Sequence, residues 1–149
     1  MKRTLLLFSV MTLFLFNCTS NGNLKMPPGL SPDDVVTLFS EVYGTGRLDD
    51  IGPYTTERFR LERPVSVWVV QVWQELQKLE FEKLEFKIVE SDTDTANNVA
   101  TVVAQATILT QAGITRQQEV FILVFEQGRW KIDELFVTEE DVEVEEHTL

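Results

Sequence analysis

The chain has 149 residues, of which 44% are hydrophobic and 25% charged, so it is long enough for one globular domain with a buried core. A formal net charge of −11 repels phosphate backbones and argues against nucleic acid as a partner. The sequence has one cysteine, Cys18, and one histidine, His147, which excludes an internal disulfide and a cysteine metal cluster.

The N-terminus has the pattern of an export signal. Lys2 and Arg3 precede a charge-free apolar run from Thr4 to Phe16. That run is shorter than the roughly 20 residues that a membrane-spanning helix needs, and it suits the apolar region of a signal peptide. An ordinary secretory signal and an uncleaved anchor are the alternatives for this segment.

The only cysteine ends this run in Leu15-Phe16-Asn17-Cys18, which resembles a lipobox, the site where a bacterial lipoprotein receives its lipid. Leu15 fits the aliphatic position of that motif, whereas Phe16 and Asn17 depart from its usual small residues. We therefore expect residues 1–17 to be a lipoprotein signal peptide. Lipid on Cys18 would hold the chain on a membrane of the bacterial cell envelope, because several acyl chains bind a bilayer firmly.

A short polar segment separates this motif from the domain. Residues 18–29 are rich in Asn, Gly and Pro and have no apolar period, which predicts a flexible tether. The domain is expected over residues 30–138. It opens with Ser31-Pro32-Asp33-Asp34, a pattern typical of a helix N-terminus with a capping box.

Three helices are predicted. The first carries apolar residues at helical spacing up to Val42 and ends at Gly44 and Gly46. A short second helix covers residues 47–51 and is expected to stop at Gly52-Pro53, and Thr55 or Thr56 could cap one more turn through Phe59. Pro64 opens a longer third helix. Its predicted apolar stripe consists of Trp68, Val69, Val72, Trp73, Leu76 and Leu79.

The apolar period then changes to two, which indicates strands. Leu84, Phe86 and Ile88 are expected to face inward, with Lys83, Glu85 and Lys87 on the solvent side. Further strands are predicted over residues 100–108, over 120–125 in the centre of the sheet, and from Trp130 onward. The turns are expected at residues 91–98, 111–113 and 127–128. Short turns require antiparallel pairing, so the predicted class is α+β, with N-terminal helices packed on an antiparallel meander of about four strands.

The C-terminal residues 139–149 are strongly acidic, with six acids and no base between Glu139 and Glu146. Like charges repel one another, and this composition predicts a solvated acidic tail that folding does not require. The alternative is an acidic arm for a basic partner or a cation.

In three segments the chain resembles the nuclear transport factor 2-like superfamily: residues 31–36, residues 46–51, and the closing hairpin from Val124 to Ile132. The resemblance covers Leu30 to Val137. It implies a curved sheet wrapped on helices, with a cone-shaped cavity at the wide end. Members of this superfamily include isomerases, dehydratases, ligand binders and partner-binding modules.

The catalytic residues that the resemblance would bring are missing from the sequence. Phe39 stands where the isomerase branch has a tyrosine, and no aspartate occurs between Asp50 and Asp92. The dehydratase branch uses a histidine, and His147 lies in the tail. We therefore expect no catalytic residue. The alternative is that a buried glutamate acts as a catalytic base, and the candidates are Glu57, Glu62 and Glu75. Glutamates of this kind are more commonly solvated charges on the surface.

Four aromatic residues are the candidates for a ligand cavity: Tyr43, Tyr54, Trp68 and Trp73. Their rings could line it and their hydroxyls could orient a ligand, with core packing of the tryptophans as the alternative. A weak calcium site is conceivable at Asp92, Asp94 and Asn97. Such a cluster more commonly forms a polar hairpin turn, so no metal and no cofactor is predicted.

The sequence thus predicts a membrane-tethered, non-enzymatic domain that binds a small ligand or another envelope protein. An enzyme of the same fold with a glutamate base is one alternative. The other is a structural partner in envelope assembly.

Overall fold

The computed structural model describes residues 29–143, and the side chains of residues 29–138. The elements in chain order are helix α1 (Pro32–Val42), a 3₁₀ helix (Leu48–Tyr54), helix α2 (Val65–Lys78), and strands β1 (Glu82–Asp94), β2 (Val99–Thr110), β3 (Gly113–Glu126) and β4 (Arg129–Glu143). The strands form one antiparallel sheet in the order β1-β2-β3-β4. The predicted α+β class and the four-stranded meander are confirmed.

The predicted capping box starts α1. The Ser31 side chain accepts a hydrogen bond from the Asp34 backbone N–H (3.2 Å), and the Asp34 carboxylate accepts one from the Ser31 backbone N–H (3.0 Å). These two bonds satisfy donors that a helix N-terminus otherwise leaves unpaired. The helix ends at Val42, and Gly44 follows with a φ of +85°, a conformation that suits glycine.

The second helix differs from its prediction, because it is a 3₁₀ helix that continues through Gly52-Pro53 to Tyr54. Thr55 closes this extra turn: its backbone N–H (3.2 Å) and its hydroxyl (2.8 Å) both donate to the Gly52 carbonyl. A Cβ at Gly52 would overlap the Val65 side chain, so glycine lets the 3₁₀ helix approach the start of α2.

Strand β1 contains a β-bulge at Leu84 that the alternating pattern did not predict. Lys83 lies opposite Ile108, while Glu85 lies opposite Thr107, so Leu84 is the extra residue on β1. The expected sides are therefore wrong at this end of the strand. Leu84 is 42% exposed, whereas only 9% of the Lys83 side chain is exposed. One inserted residue is enough to reverse the side that a strand residue faces.

The turns lie close to their predicted places. Strand β1 continues to Asp94, so the first turn is shorter than the predicted residues 91–98. Gln127 and Gly128 both have positive φ (52° and 77°), which gives the tight turn between β3 and β4.

The core lies between α1, the 3₁₀ helix and one face of the sheet. Its fully buried side chains are Val35, Val36, Phe39, Val42, Leu48, Ile51, Ala100, Val102, Ala104, Phe121, Leu123 and Ile132. Of the stripe predicted on α2, Trp68 and Leu76 are buried, whereas Trp73 and Leu79 are exposed. Helix α2 packs mainly on the 3₁₀ helix rather than on the sheet.

Strand β4 extends beyond the predicted end of the domain. It pairs with β3 as far as Glu143, which lies opposite Ile114. The segment predicted as an acidic tail therefore begins as strand. Within residues 29–143, no helix is long and apolar enough to cross a membrane.

Candidate functional site

The bulge in β1 places a lysine on the inner face of the sheet, where three aromatic rings surround it. The Lys83 ammonium nitrogen lies 4.8 Å from the centre of the Phe86 ring, 5.8 Å from that of Phe39 and 5.8 Å from that of Tyr43. These distances are in the range of cation–π attraction, which strengthens when the cation has lost its water.

The rings are themselves held by packing. Phe39, in the last turn of α1, and Tyr43, the residue that follows the helix, stack with their ring centres 4.7 Å apart. Phe81 packs edge-on against Tyr43 at 5.6 Å. The aromatic surroundings of Lys83 therefore come from the end of α1 and the start of β1.

A buried glutamate faces this lysine from β3. Glu119 is 4% exposed, and its Oε2 lies 3.9 Å from the Lys83 nitrogen. Its other oxygen, Oε1, accepts a hydrogen bond from the Gln117 side chain (2.7 Å). At 3.9 Å the two charged groups attract each other, but they are too far apart for a direct hydrogen bond. The Lys83 nitrogen and Glu119 Oε2 are buried without a hydrogen-bond partner among the described residues.

Burial and charge shift the proton affinities of this cluster in opposite directions. Loss of water lowers the pKa of Lys83, and the negative charge of Glu119 only partly opposes that shift. Loss of water raises the pKa of the Tyr43 phenol, and the Glu119 charge raises it further. The interior thus disfavours the charged form of both groups.

A cavity of about 200 Å³ opens beside this cluster. Its walls include Tyr43, Gly44, Phe81 and Lys83. Ligand pockets usually measure about 300–1,000 Å³, so this cavity fits a very small molecule or one end of a larger molecule. A Cβ on Gly44 would overlap the Phe81 ring, so the absence of a side chain there shapes the wall.

The four aromatic candidates from the sequence do not meet in one cavity. Tyr43 lines the cavity beside Lys83, and Trp68 is buried edge-on to Phe59 at 5.9 Å. The centre of the Tyr54 ring lies 5.8 Å from the Arg129 guanidinium carbon. Trp73 is 43% exposed and lines a separate, mainly apolar hollow of about 310 Å³. The lipidation candidate, Cys18, lies outside the described residues.

The glutamates considered as bases lie on the surface. Glu57, Glu62 and Glu75 are all exposed, and Glu75 pairs with Lys78 at 2.7 Å. Among the residues with described side chains the buried acid is Glu119, which was not one of the predicted candidates. Its position two residues before the buried Phe121 could have indicated it, because alternate residues of a strand share a face.

The residues considered for calcium form a polar turn. Asp94 accepts hydrogen bonds from the backbone N–H groups of Ala96 (3.0 Å) and Asn97 (3.1 Å) and from the Asn97 side chain (2.6 Å). These bonds explain why the Asp94 pKa is lowered. The part of the chain with described side chains holds no group of three metal-binding residues.

A second polar cluster lies at the opposite end of the sheet, near the turn between β3 and β4. Arg60 is 9% exposed and donates to the carbonyl (2.6 Å) and the hydroxyl (2.8 Å) of Thr55. Lys131 is 8% exposed and donates to Glu126 (2.9 Å) and Gln127 (2.7 Å). Each of these donor groups has a hydrogen-bond partner, so we interpret the cluster as structural support for the loops that it joins.

Comparison with known proteins shows a likeness of fold. A SEC-C motif containing protein from Rhodopseudomonas palustris has 19% sequence identity over 71% of this chain and 77% of its own, with a TM-score of 0.57. A DUF4783 family protein from Bacteroides ovatus has 12% identity over 77% of this chain and 99% of its own, with a TM-score of 0.49. The intermembrane space region of the chloroplast protein ARC6 has 14% identity over 72% of this chain and 94% of its own, with a TM-score of 0.45.

No known protein family and no curated protein sequence matches the chain. At 19% identity, the likeness to the Rhodopseudomonas protein shows the fold alone. The chain is thus defined as a small α+β protein with an open, four-stranded antiparallel sheet.

Proposed function

We propose that this protein is a bacterial lipoprotein, held in the cell envelope by lipid on Cys18, whose α+β domain binds a small ligand without catalysing a reaction. We also propose that the domain is a distant relative of the cone-shaped nuclear transport factor 2-like proteins. The packing of α1 on one face of a four-stranded meander supports that relationship.

One observation supports ligand binding above the other functions: two buried, charged atoms lack hydrogen-bond partners near a cavity. A buried polar group without a partner costs about 1–3 kcal/mol, and more if it is charged. The Lys83 nitrogen and Glu119 Oε2 are such groups, and Lys83 lines the cavity. A ligand group that accepted a hydrogen bond from Lys83 would recover part of this free energy.

The pair also suggests the chemistry of the ligand. One charge of each sign makes the site neutral overall, with a donor at Lys83 and an acceptor at Glu119. A hydroxyl or a primary amide can accept a hydrogen bond from Lys83, whereas the nearby Glu119 charge would repel an anionic carboxylate. The aromatic walls favour an apolar or flat remainder. The best fit is a small, neutral amide or alcohol with an aromatic ring.

Two-dimensional NMR of the domain, titrated with benzamide, benzyl alcohol and benzoate, tests this proposal. We expect saturable shifts of the Tyr43, Gly44 and Lys83 amides with benzamide or benzyl alcohol, and much weaker shifts with benzoate. The double variant Lys83→Met/Glu119→Leu should lose these shifts, whereas Trp73→Ala, in the separate hollow, should keep them. The absence of saturable shifts at this cavity, or equal shifts in the double variant, would contradict ligand binding there.

The lipid anchor needs its own test. Replacing Cys18 with alanine should abolish labelling by a fatty-acid probe and release the protein from membranes, because the chain has no other cysteine to acylate. A variant that keeps both the label and the membrane association would show that the motif is not a lipobox.

An enzyme with a glutamate base is the second candidate, and the burial and hydrogen bonding of Glu119 favour it. Glu119 does not line the cavity, however, so a substrate held there would touch Lys83 and not the carboxylate. Ligand binding therefore accounts for the geometry better than proton abstraction.

A protein partner is the third candidate. On the outer face of the sheet, Val103, Val120 and Phe136 lie side by side in register, and Phe136 is 53% exposed. Such an apolar row fits a binding or assembly surface for another envelope protein.

A further inference from the structure

Helix α2 begins with an uncharged stretch whose apolar residues extend beyond its buried side. Between Pro64 and Glu75 it has no charged residue, and Ser66, Gln71 and Gln74 are its only polar ones. The apolar residues are Val65, Val67, Trp68, Val69, Val70, Val72 and Trp73. Apolar side chains outside the stripe that the core buries are available to a further partner.

The domain covers only one side of this stretch. Trp68 is buried, and Val69 and Val72 are partly buried against the core. Val67, Val70 and Trp73, which we call the α2 outer strip, are 44%, 53% and 43% exposed. They recur every three residues, so they lie next to one another along the helix, beside the exposed side chains of Ser66, Gln71 and Gln74.

The strip begins at the end of the domain where the N-terminal segment emerges. A Cβ on Gly29 would lie 3.9 Å from the Gly128 carbonyl oxygen, so the first described residue lies against the turn between β3 and β4. Gln127 and Arg129, on either side of Gly128, line a cavity together with Val65, the first residue of α2. The chain from Cys18 thus reaches the domain close to the start of α2.

The length of that segment limits the distance from the proposed anchor. Residues 18 to 29 can span at most about 40 Å when fully extended, and α2 is about 20 Å long. A lipid on Cys18 would therefore keep the strip within reach of the bilayer at all times. Such confinement raises the effective concentration, so a contact too weak to bind a membrane alone can form.

We infer that the α2 outer strip lies on the bilayer to which the chain is tethered, with the Trp73 ring among the lipid headgroups. This inference rests on the proposed lipid anchor. Tryptophan prefers this region because its indole is largely apolar and still carries an N–H donor. Arg63, which is exposed just before the start of the helix, is long enough to reach the phosphates.

A second copy of the chain is a poorer occupant. Stable dimers bury about 800 Å² on each partner, and three half-exposed side chains supply only part of that area. The net charge of −11 also makes two copies repel each other.

Site-directed spin labelling of the lipidated full-length protein in phosphatidylcholine vesicles tests this inference. With the Cys18 thiol occupied by lipid, Val70→Cys supplies the only free thiol for a nitroxide. The matched control is Gln105→Cys, which is exposed on the outer face of the sheet. We expect the label at position 70 to collide severalfold more often with oxygen than with a water-soluble nickel complex, and the label at position 105 to show the reverse.

Two failures are distinguishable. If the protein carries lipid and floats with the vesicles, but both labels collide equally with the nickel complex, the bilayer contact is wrong and the anchor stands. If mass spectrometry shows no lipid and the protein does not float, the proposed anchor itself fails. Shielding of position 70 that persists without vesicles would indicate a protein contact and would also overturn the inference.

Discussion

At the scale of single residues, the Lys83–Glu119 pair should affect stability through its buried charges. Both side chains are more than nine-tenths buried, so each has lost most of its hydration. The attraction over 3.9 Å and the surrounding rings offset part of that cost. Each charge is therefore tolerated only because the other is present.

Removing one member of the pair should cost more than removing both. Lys83→Met leaves the Glu119 charge buried without compensation, a change that typically costs about 3–5 kcal/mol. Lys83→Met/Glu119→Leu removes both charges and should recover most of that loss. Urea unfolding measures the difference, with Lys87→Met on the exposed side of the same strand as the control. If the single lysine variant is as stable as the wild type, the pair is not coupled.

Tyr43 gives a prediction for alkaline pH. Its folded pKa is raised above the ordinary 10.0, first by burial and then by the Glu119 charge. The unfolded chain therefore loses this proton at a lower pH than the folded chain does. The stability that Tyr43 contributes through this shift is fully present below pH 10.0 and is lost as the pH rises through the folded pKa.

The wild type should consequently lose more stability above pH 10.0 than Tyr43→Phe does. Both proteins keep Lys83, whose lowered pKa acts with the opposite sign, so that contribution largely cancels in the comparison. Urea unfolding at a series of pH values provides the measurement. Parallel pH profiles for the two proteins would show that Tyr43 does not titrate in this range.

At the scale of elements, α1 depends on its capping box. Ser31→Ala removes the side-chain acceptor for the Asp34 N–H, and loss of such a cap costs about 1 kcal/mol. Thr37→Ala, on the exposed side of the same helix, should change stability much less. Thermal unfolding of the two variants distinguishes a cap from a general effect of helix propensity. Equal losses would mean that the Ser31 bond is not important.

The bulge in β1 acts on the site through geometry. Without the extra residue at Leu84, alternation would place Lys83 on the same side as Glu85, away from Glu119. The candidate site therefore depends on an irregularity of the sheet as much as on its residue types. Bulges often reorient a side chain beside a functional site in this way.

At the scale of the whole molecule, the C-terminal end of β4 is a testable boundary. Its register places residues 139–143 opposite the start of β3. A chain that ends at Glu143 should melt like the full-length protein. A chain that ends at Thr138 should melt a few degrees lower while remaining cooperative, because only the end of an edge strand is removed. If ending at Thr138 has no effect, this pairing does not contribute to stability.

The overall arrangement separates the features that matter for the proposals. The cavity beside Lys83 lies where α1 ends and β1 begins, whereas the N-terminal segment reaches the domain near the turn between β3 and β4. Helix α2 runs between these two ends. It begins at Val65, and the carbonyl of its C-cap, Leu79, accepts a hydrogen bond from the backbone N–H of Gln111. Because the helices lie on the inner side of the sheet, a domain held against a bilayer along α2 would leave the outer face of the sheet open to solvent.

The sequence alone determined the class of the fold, because its signals are local. The capping box at Ser31, the glycine after α1 and the tight turn at Gln127-Gly128 each follow from neighbouring residues. The change of apolar period from helical spacing to alternation also predicted where the helices give way to strands. These features gave an antiparallel α+β domain and the order of its strands.

Only the tertiary structure decided which polar residues are buried together. Alternation placed Lys83 in solvent, and no residue near it in sequence indicates the bulge, which arises from the pairing of β1 with β2. Glu119 could be placed on the inner face, but its distance from Lys83 depends on β2 lying between their two strands. The aromatic candidates were separated for the same reason, because the packing of α2 on the 3₁₀ helix buries Trp68 and leaves Trp73 outside. Contacts between residues far apart in sequence depend on the register of every strand pair between them. The pattern of a single sequence indicates only local structure.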